Sequence, residues 1–416
     1  MTMSAPTLKL ENCWMLLAGR RVAKGDLLIA DGKIAAVAER DCEPDRLVMP
    51  GLVNCHGHTA MTLVRGLGGG LPLQRWLEEA IFPVEAKMTP ADVRAGAAWG
   101  IMEMLAGGTT CVADMYDFPE ETEAALADAG MRGFTCRVGL NFVPGRLDEC
   151  VRYAESHPKS HLCIHSEYLT DEKFCRALAD ANRELKRPLH VHVSETRKEH
   201  EECIQRHGRT PVAQIAATGL FDHGGYAAHC VWCTDDDFRI MADMGVSLVH
   251  NPTSNMKLGS GFARVPRAAE LGVNVALGTD GCASNDNLDM FEEMHLASLI
   301  HKGLAQDPTV LSAWDMIEMA TKNGAKALGT DDAGEIAVGK AADLCVAGLG
   351  SVHLAPAIDM PNLVVNSMGA EDVEMTLVGG RVVYEKNEAG GAFAGGQSVA
   401  SARSALLAAV RRLGLA

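Results

Sequence analysis

Short runs of apolar and β-branched residues alternate with helix-like stretches through the middle of the chain. The runs occupy residues 52–58, 109–114, 134–140, 161–165, 188–194, 225–230, 246–250 and 273–279. Thr89 and Pro90 supply a helix-start signal before one of the intervening stretches. Eight strand-then-helix units are the number of a (β/α)8 barrel. The pattern therefore predicts an α/β fold with a TIM barrel over residues 51–334.

The two ends of the chain carry a different pattern, in which apolar residues alternate around tight glycine turns or follow one another in a short strand. These signals lie at residues 27–38, 342–349 and 375–384. They predict that residues 1–50 and 335–416 together form a small β-sandwich domain into which the barrel is inserted. Residues 398–415 are rich in Ala, Leu and Arg and predict a C-terminal helix.

Length and charge narrow the functional class. The 416 residues suit a barrel plus a small accessory domain, and the formal net charge of −16 disfavours binding to nucleic acid or to an anionic membrane. We find no stretch of about 18 apolar residues and no basic-then-apolar leader, so we expect a cytoplasmic protein. The 13 cysteines are scattered and predict reduced thiols, and we interpret Cys230 and Cys233 as a chance pair.

Polar residues collect where the predicted barrel strands end, which is where barrel enzymes place their active sites. His56 and His58 lie two apart in PGLVNCHGH, so both imidazoles point to the same side of the first strand. In PLHVHVSE of the fifth strand, His190 and His192 share a face and Glu195 follows the strand end. Parity alone allows either histidine of this strand to reach a metal.

The later strands end in His229, His250 and Asp280. Three histidines and one aspartate would form a mononuclear metal site that leaves a position open for water, whose pKa a bound zinc lowers to roughly 7. Glu195 could then relay protons between that water and a substrate, while His229 and Asp280 orient the water and the developing charge. The sequence therefore predicts a single-metal hydrolase.

Several longer motifs make the sequence resemble the amidohydrolase superfamily, and specifically the aminohydrolase branch that contains 5-methylthioadenosine/S-adenosylhomocysteine deaminases. The motifs are MPGLVNCHGHTAMTLVRG (49–66), HVHVSE (190–195), AAHC (227–230), HNPTSNMKLGSG (250–261) and GTDGCASNDNLDM (278–290). The resemblance implies hydrolytic deamination of an adenosine-type nucleoside at purine C6, giving the inosine derivative and ammonia.

The resemblance also implies roles for individual residues. The implied metal ligands are His56, His58, His192 and Asp280, a choice that selects His192 over His190. The implied proton-transfer groups are Glu195 and His229. The implied substrate contacts are Trp76 by stacking, Glu85 at the ribose hydroxyls, His165 at the end of strand four, Arg137 and Arg146 at a homocysteine carboxylate, and Glu195 itself.

Paired arginines suit a carboxylate, so S-adenosylhomocysteine becomes the favoured substrate over adenosine if both face the mouth. Within the same branch, deaminases of guanine or pterins and hydrolases of s-triazines are alternatives. A non-catalytic metal-binding homologue is a further alternative, although Glu195 and the implied ligands are all present.

Two segments depart from the family pattern. Gly68, Gly69 and Gly70 stand where acidic residues are common, so the loop after strand one could move or could contact ligand differently. HSEYLT places Glu167 near His165, where it could either favour a basic group on the substrate or cap the next helix.

The identity of the metal is open at this stage. We expect one divalent ion, with Zn²⁺ favoured, although nitrogen and oxygen ligands also accept Fe²⁺, Mn²⁺ or Co²⁺. The resemblance implies a small-molecule purine nucleoside as the partner and is compatible with a homo-oligomer.

Overall fold

A computed structural model describes residues 7–388, 390–396 and 398–415. The strands are β1 (Leu8–Leu17), β2 (Arg21–Ala30), β3 (Lys33–Glu39), β4 (Arg46–Pro50), β5 (Leu52–His58), β6 (Thr109–Tyr116), β7 (Arg132–Arg137), β8 (Leu162–Cys163), β9 (Leu189–Val193), β10 (Gly225–His229), β11 (Val246–His250), β12 (Val275–Leu277), β13 (Asp280–Gly281), β14 (Leu344–Gly348), β15 (Val373–Val378), β16 (Arg381–Glu385) and β17 (Ala392–Phe393).

The α-helices are α1 (Leu73–Arg75), α2 (Phe82–Glu85), α3 (Pro90–Ala106), α4 (Pro119–Ala129), α5 (Arg146–Ser156), α6 (Glu172–Leu185), α7 (Arg197–His207), α8 (Pro211–Thr218), α9 (Asp235–Asp243), α10 (Pro252–Lys257), α11 (Val265–Glu270), α12 (Cys282–Asn285), α13 (Met290–Ala305), α14 (Ala313–Met319), α15 (Lys322–Leu328), α16 (Met360–Asn366) and α17 (Val399–Arg412). A π-helical turn, Trp76–Ile81, joins α1 to α2. Short 3₁₀ helices span Thr59–Val64, Glu167–Leu169, Val352–Leu354, Ala370–Asp372 and Ala394–Gly396.

Strands β5 to β12 form the predicted barrel. Parallel pairing runs from β5 through β6 to β7 and from β8 through β9, β10 and β11 to β12. A parallel bridge between Gly139 and Ile164 joins β7 to the β8 side. The two-residue strand β13 pairs with β5, with Asp280 opposite Gly57, and so closes the circle.

The predicted strands agree with the structure in number and order, but some are shorter than predicted. The predicted run 161–165 contains only the two-residue strand β8. His165 instead donates its backbone N–H to the Gly139 carbonyl at 3.1 Å, outside a regular ladder. The helix start predicted at Thr89 and Pro90 is confirmed, because Thr89 and Asp92 form a capping box at the N-terminus of α3.

Strands from both ends of the chain form one sheet beside the barrel, in the order β17-β16-β15-β14-β4-β1-β2-β3. Strand β4 joins the two halves because it pairs in parallel with β1 and antiparallel with β14, where Val48 lies opposite Val346. Buried apolar side chains from both halves pack together, among them Met15, Leu27, Ile29, Val48, Val346 and Leu377. The division into two domains with the bounds given above stays a prediction.

The predicted C-terminal helix is confirmed as α17. It packs on α3, where Arg412 Nε donates to Asp92 Oδ1 at 2.8 Å. The α3 helix lies between β5 and β6 in the chain, so the C-terminal helix stabilises the barrel side that carries His56 and His58. Within the described ranges, none of the helices has both the length and the apolar composition needed to cross a membrane.

Candidate metal centre and cavity

Four side chains from three parts of the barrel converge at its mouth: His56, His58, His192 and Asp280, named here the His–Asp cluster. His56 Nε2 and His58 Nε2 lie 3.2 and 3.1 Å from Asp280 Oδ1. His192 Nε2 lies 3.3 Å from His58 Nε2. All four potential ligand atoms are within 4.8 Å of one another. His58 and Asp280 are 222 positions apart in the chain, and they meet here because β5 and β13 are hydrogen-bonded neighbours.

Backbone carbonyls set the tautomers of two of these histidines. His58 Nδ1 lies 2.5 Å from the Met115 carbonyl, and His192 Nδ1 lies 2.7 Å from the His165 carbonyl. A carbonyl oxygen only accepts, so each Nδ1 carries the hydrogen and each neutral ring directs a lone pair from Nε2 into the cluster. The two Nε2 atoms lie 3.3 Å apart, so their lone pairs repel each other unless a proton or a metal cation lies between them.

The third histidine is oriented by another histidine. His56 Nδ1 lies 2.8 Å from His190 Nε2, and both rings are fully buried. His56 Nε2 makes no hydrogen bond with any described residue, since its approach to Asp280 lacks the required geometry. A buried nitrogen left in this way is a candidate metal ligand. The two histidines of β9 therefore differ in role. The ring of His192 belongs to the cluster, whereas His190 contacts His56.

The two carboxylate oxygens of Asp280 have different partners. Oδ1 faces the histidines of the cluster, and Oδ2 accepts hydrogen bonds from two serines. The donors are Ser254 Oγ at 2.6 Å and Ser284 Oγ at 2.7 Å. The backbone of Asp280 has φ of +61°, a conformation that is uncommon outside glycine. Asn54 on β5 stabilises the preceding turn by donating to Thr279 Oγ1 at 2.7 Å and accepting from Thr279 N at 3.1 Å.

Glu195 lies beyond the end of β9 and is held by its neighbours. The carboxylate of Glu199 accepts the backbone N–H groups of Ser194 and Glu195 at 2.7 and 2.8 Å, which orders the chain at the strand end. Ser260 Oγ donates to Glu195 Oε1 at 3.3 Å. The second oxygen, Oε2, lies 3.9 Å from His229 Nε2. Glu195 is buried beside the cluster with one oxygen free of side-chain hydrogen bonds among the described residues.

His229, at the end of β10, is also oriented by a hydrogen bond through its Nδ1 atom. Its Nδ1 lies 2.8 Å from Asn255 Oδ1, so Nδ1–H donates and Nε2 is directed toward Glu195. Its φ of +72° is again left-handed. Backbone strain at His229 and Asp280 is maintained only where the surrounding structure specifies the conformation, and such residues concentrate at functional sites.

Burial and mutual charge determine the protonation of the cluster. Burial lowers the pKa of His56 to about 4 and holds the pKa of His192 well below its ordinary value. At His58 the contact with Asp280 outweighs burial and raises the pKa to about 9. Burial raises the pKa of Glu195, whereas the contacts with His56 and His58 outweigh burial at Asp280 and hold its pKa well below the usual range. A proton and a metal cation thus compete for the same place beside Asp280.

The donor set fits one divalent metal ion. Three imidazole nitrogens and one carboxylate oxygen are ligands that zinc accepts, and the orphaned His56 Nε2 is accounted for by such a bond. The three Nδ1 atoms already have partners, as is usual for histidines that bind metals. We conclude that the cluster has the composition and orientation of a metal site.

A cavity of about 400 Å³ opens above the cluster. Its polar lining includes His58, Glu85, Tyr116, Asp117, His165, Tyr168, His192, Glu195, His229, Asp280 and Ser284. Most of the remaining wall is apolar. A cavity of this size fits a small organic ligand, and its few polar groups would fix the ligand's orientation.

Four of the predicted substrate contacts line this cavity: Trp76, Glu85, His165 and Glu195. Tyr116 OH donates to Glu85 Oε1 at 2.7 Å, and the Trp76 indole N–H donates to the Leu67 carbonyl at 3.0 Å. The indole therefore offers its ring rather than its N–H to the cavity.

The glycine loop supports Trp76. Gly68 has φ of +72°, and a Cβ added there would lie 2.8 Å from Trp76 Cδ1 and 2.7 Å from Ala80 Cβ. The absence of a side chain at Gly68 thus lets the loop approach the indole closely. None of the three glycines is among the residues that line the cavity.

The two predicted carboxylate-binding arginines are paired with the protein's own carboxylates. Arg137 Nη2 donates to both oxygens of Glu120 at 2.8 and 3.0 Å. Arg146 Nη1 donates to Asp117 Oδ1 at 2.5 Å. Neither arginine lines the cavity, although Asp117 does. Their role in binding a substrate carboxylate stays a prediction.

Both interpretations offered for Glu167 are wrong. Its carboxylate is 6% exposed, lies 2.6 Å from Arg206 Nη2 and 2.9 Å from His207 Nε2, and is not among the residues lining the cavity. The following helix, α6, is capped instead by Asp171, which accepts the N–H of Phe174. Glu167 faces the C-terminal turn of α7, which carries Arg206 and His207. These residues are about 40 positions away in the chain, so the sequence near Glu167 did not predict the ion pairs.

Several supporting residues were missed from the sequence: Asn54, His190 as a hydrogen-bond partner, Glu199, Ser254, Asn255 and Ser284. All of them except Glu199 lie in motifs quoted above, and polar side chains beside strand ends were the available signal. The cysteines are free thiols, as expected, including Cys230 and Cys233.

Comparisons with known proteins agree with this geometry. The amidohydrolase family model matches residues 47–383. The 5-methylthioadenosine/S-adenosylhomocysteine deaminase of Acetivibrio thermocellus is 44% identical over 354 residues, 82% of each chain. The 5′-deoxyadenosine deaminase of Methanosarcina mazei is 40% identical over 385 residues, 88% of this chain and 89% of that one.

Among solved structures, an adenosine deaminase from Xanthomonas campestris with bound zinc is similar to this chain. The TM-score is 0.87 at 30% identity, over 97% of this chain and 98% of the other. The match of the family model over most of the chain, together with relatives at 40% identity and above, establishes that this protein belongs to the amidohydrolase family.

Proposed function

We propose that the protein is a metal-dependent deaminase that hydrolyses the 6-amino group of an adenosine-type nucleoside, giving the inosine derivative and ammonia. The observation that carries the proposal is the convergence of three Nε2 atoms and one carboxylate oxygen beside Glu195, on the surface of a cavity of about 400 Å³. Support comes from relatives named for deamination of methylthioadenosine, S-adenosylhomocysteine and 5′-deoxyadenosine.

His56, His58, His192 and Asp280 would hold the metal, for which we propose Zn²⁺. When bound there, a divalent cation lowers the pKa of water so that a hydroxide nucleophile is accessible near neutral pH. The zinc in the similar adenosine deaminase supports this choice of metal.

Glu195 is the proposed proton carrier. Its Oε2 has no hydrogen bond to a side chain of the described residues and is directed toward the cluster side of the cavity, near His229 Nε2. Oε2 accepts one proton from the attacking water and delivers it to the purine ring nitrogen next to C6. It then takes the second proton from the hydroxyl that has been added at C6 and passes it to the amine, so that the C–N bond breaks, ammonia leaves and a C6 carbonyl remains. Burial raises the pKa of Glu195, which makes the proton easier to hold between these steps.

The remaining polar groups would position the substrate and the developing charge. His229 Nε2 contacts the oxygen that adds to C6, and His165 contacts the purine. Glu85 accepts hydrogen bonds from the ribose hydroxyls, and the Trp76 ring stacks near the nucleoside. We extend the proposal to a cytoplasmic location, and a homo-oligomer stays a prediction.

An ultraviolet assay for conversion of adenine to hypoxanthine tests the proposal. The panel contains methylthioadenosine, 5′-deoxyadenosine, S-adenosylhomocysteine and adenosine, with guanine and melamine as members of the alternative substrate classes. We expect turnover of at least one nucleoside by the zinc-loaded protein. Turnover of guanine or melamine without turnover of any nucleoside would reject the proposal in favour of another member of the branch.

A further inference from the structure

One wall of the cavity is built by the segments that follow β6 and β7, and it is mostly apolar. Its apolar members are Phe118, Val138, Leu140, Phe142 and Val143. The polar side chain on this wall is Asp117. No lysine or arginine of the described part of the chain lines the cavity, whereas four carboxylates do: Glu85, Asp117, Glu195 and Asp280.

Arg146 lies behind this wall at the start of α5. Its Nη1 donates to Asp117 Oδ1 at 2.5 Å and to the Val138 carbonyl at 3.3 Å. The Arg146 side chain is 9% exposed, whereas that of Asp117 is 46% exposed. The exposed partner of the pair is therefore the anion, and the guanidinium reaches the cavity only if Asp117 moves.

We infer that this wall accepts an uncharged apolar 5′ group of the nucleoside, and that the Asp117–Arg146 pair is the feature that discriminates against a 5′ group ending in a carboxylate. The inference rests on the proposed function and narrows its substrate class to short 5′-deoxy and 5′-alkylthio nucleosides. A homocysteine group brings a carboxylate and an ammonium into this region, and both would lose water among apolar side chains. The carboxylate would meet the like charge of Asp117 and compete with it for Arg146, and the ammonium could pair with Asp117 only at the expense of the Asp117–Arg146 contact.

The first test compares kcat/KM of the zinc-loaded enzyme for 5′-deoxyadenosine, methylthioadenosine and S-adenosylhomocysteine. We expect both uncharged substrates to exceed S-adenosylhomocysteine by about tenfold or more, the ratio that one disrupted charged hydrogen bond produces. Equal or faster turnover of S-adenosylhomocysteine would overturn the inference.

Asp117→Asn tests the pair itself. Removing the charge of Asp117 leaves Glu149, 3.4 Å from Arg146 Nε, as the remaining carboxylate beside Arg146 and makes Nη1 available to a substrate carboxylate. The ratio of kcat/KM for S-adenosylhomocysteine to that for methylthioadenosine should therefore rise about tenfold. Glu120→Gln is the matched control, because it frees Arg137, which does not line the cavity, and it should leave the ratio within about twofold. An unchanged ratio in Asp117→Asn would overturn the role of the pair.

Binding of the deaminated products separates this inference from the proposed function. Calorimetry with 5′-methylthioinosine and S-inosylhomocysteine reports the same preference without turnover. Tighter binding of 5′-methylthioinosine supports the inference even if no substrate is deaminated, a result that would reject only the proposed reaction. Tighter binding of S-inosylhomocysteine would overturn the inference whether or not turnover occurs.

Discussion

Nε2 of His190 lies 2.8 Å from Nδ1 of His56, so two buried histidines on different strands share one hydrogen bond next to the His–Asp cluster. This contact requires His56 Nδ1 to carry the hydrogen if Nε2 is to bind a metal. His190→Phe removes the acceptor and should weaken zinc binding by about 10- to 100-fold. His190→Gln keeps an acceptor oxygen and should lose less zinc affinity than His190→Phe.

Competition with a chromophoric chelator measures these zinc affinities on the apoprotein. Circular dichroism before and after zinc addition checks that each variant is folded. Equal affinity of the phenylalanine variant and the wild type would mean that His190 only fills space beside Tyr226, whose ring centroid lies 4.4 Å from its own.

Glu195→Gln should retain a full equivalent of metal but lose turnover by about 10²- to 10⁴-fold, because the amide cannot carry the proton. Elemental analysis and the ultraviolet assay measure the two properties on one sample. Glu201→Gln on α7, where the native carboxylate makes an exposed ion pair with Arg197, is the control and should match the wild type. Substantial activity in Glu195→Gln would reject its role as proton carrier.

Glu85→Gln should raise KM for a ribonucleoside by about tenfold while changing the KM of a 2′,3′-dideoxy analogue little, because only the ribonucleoside has hydroxyls for this carboxylate. Steady-state kinetics with the matched pair of substrates measures the difference. Glu78→Gln, at an exposed position of the same helical segment, is the control. The same KM increase for both substrates would assign Glu85 to the support of Tyr116 rather than to ribose recognition.

Gly68→Ala should lower the free energy of unfolding by about 1–3 kcal/mol, because the new Cβ combines a left-handed backbone with contacts under 3 Å to Trp76 and Ala80. Gly69→Ala is the matched control, since a Cβ at that position meets no atom within 4 Å. Chemical denaturation of both variants measures the difference. Equal stabilities would mean that the loop moves away from Trp76 without cost.

Glu293 should make stability depend on pH. Burial raises the pKa of this carboxyl from its ordinary 4.5 to about 8, so between these values the folded state keeps a proton that the unfolded state has lost. The stability contributed by this group is fully present below pH 4.5 and is lost as the pH rises toward 8.

Measuring the Tm by thermal unfolding at several pH values from 5 to 8.5 tests this dependence. The Tm of the wild type should fall more steeply with rising pH than that of Glu293→Gln, whereas Glu184→Gln, at an exposed position of α6, should follow the wild type. Parallel curves for the wild type and Glu293→Gln would show that the Asn285 and Thr253 donors keep Glu293 ionised throughout.

The barrel was predictable because its evidence is local. Each strand is a short apolar run, each helix begins at a nearby signal such as Thr89, and the strand order follows from the alternation itself. The terminal sheet was harder to define, because β4 joins the two ends of the chain through pairings with β1 and β14 that no local pattern specifies.

The sequence alone determined that His56, His58, Glu195, His229 and Asp280 lie at strand ends on one rim, since side-chain parity and strand direction are properties of a few consecutive residues. It could not choose between His190 and His192 on one face of β9. The tertiary structure made that distinction, because His192 points at the cluster whereas His190 supports His56 from another strand.

Only the tertiary structure decided which charges are already paired. Arg146 with Asp117 and Glu167 with Arg206 are ion pairs between residues 29 and 39 positions apart, brought together by packing of separate elements. The sequence does not show which opposite charge a charged residue will pair with, because Coulomb attraction depends on distances that the fold sets. The chemistry of the metal site could thus be deduced from the chain, whereas the charge presented to the substrate could not.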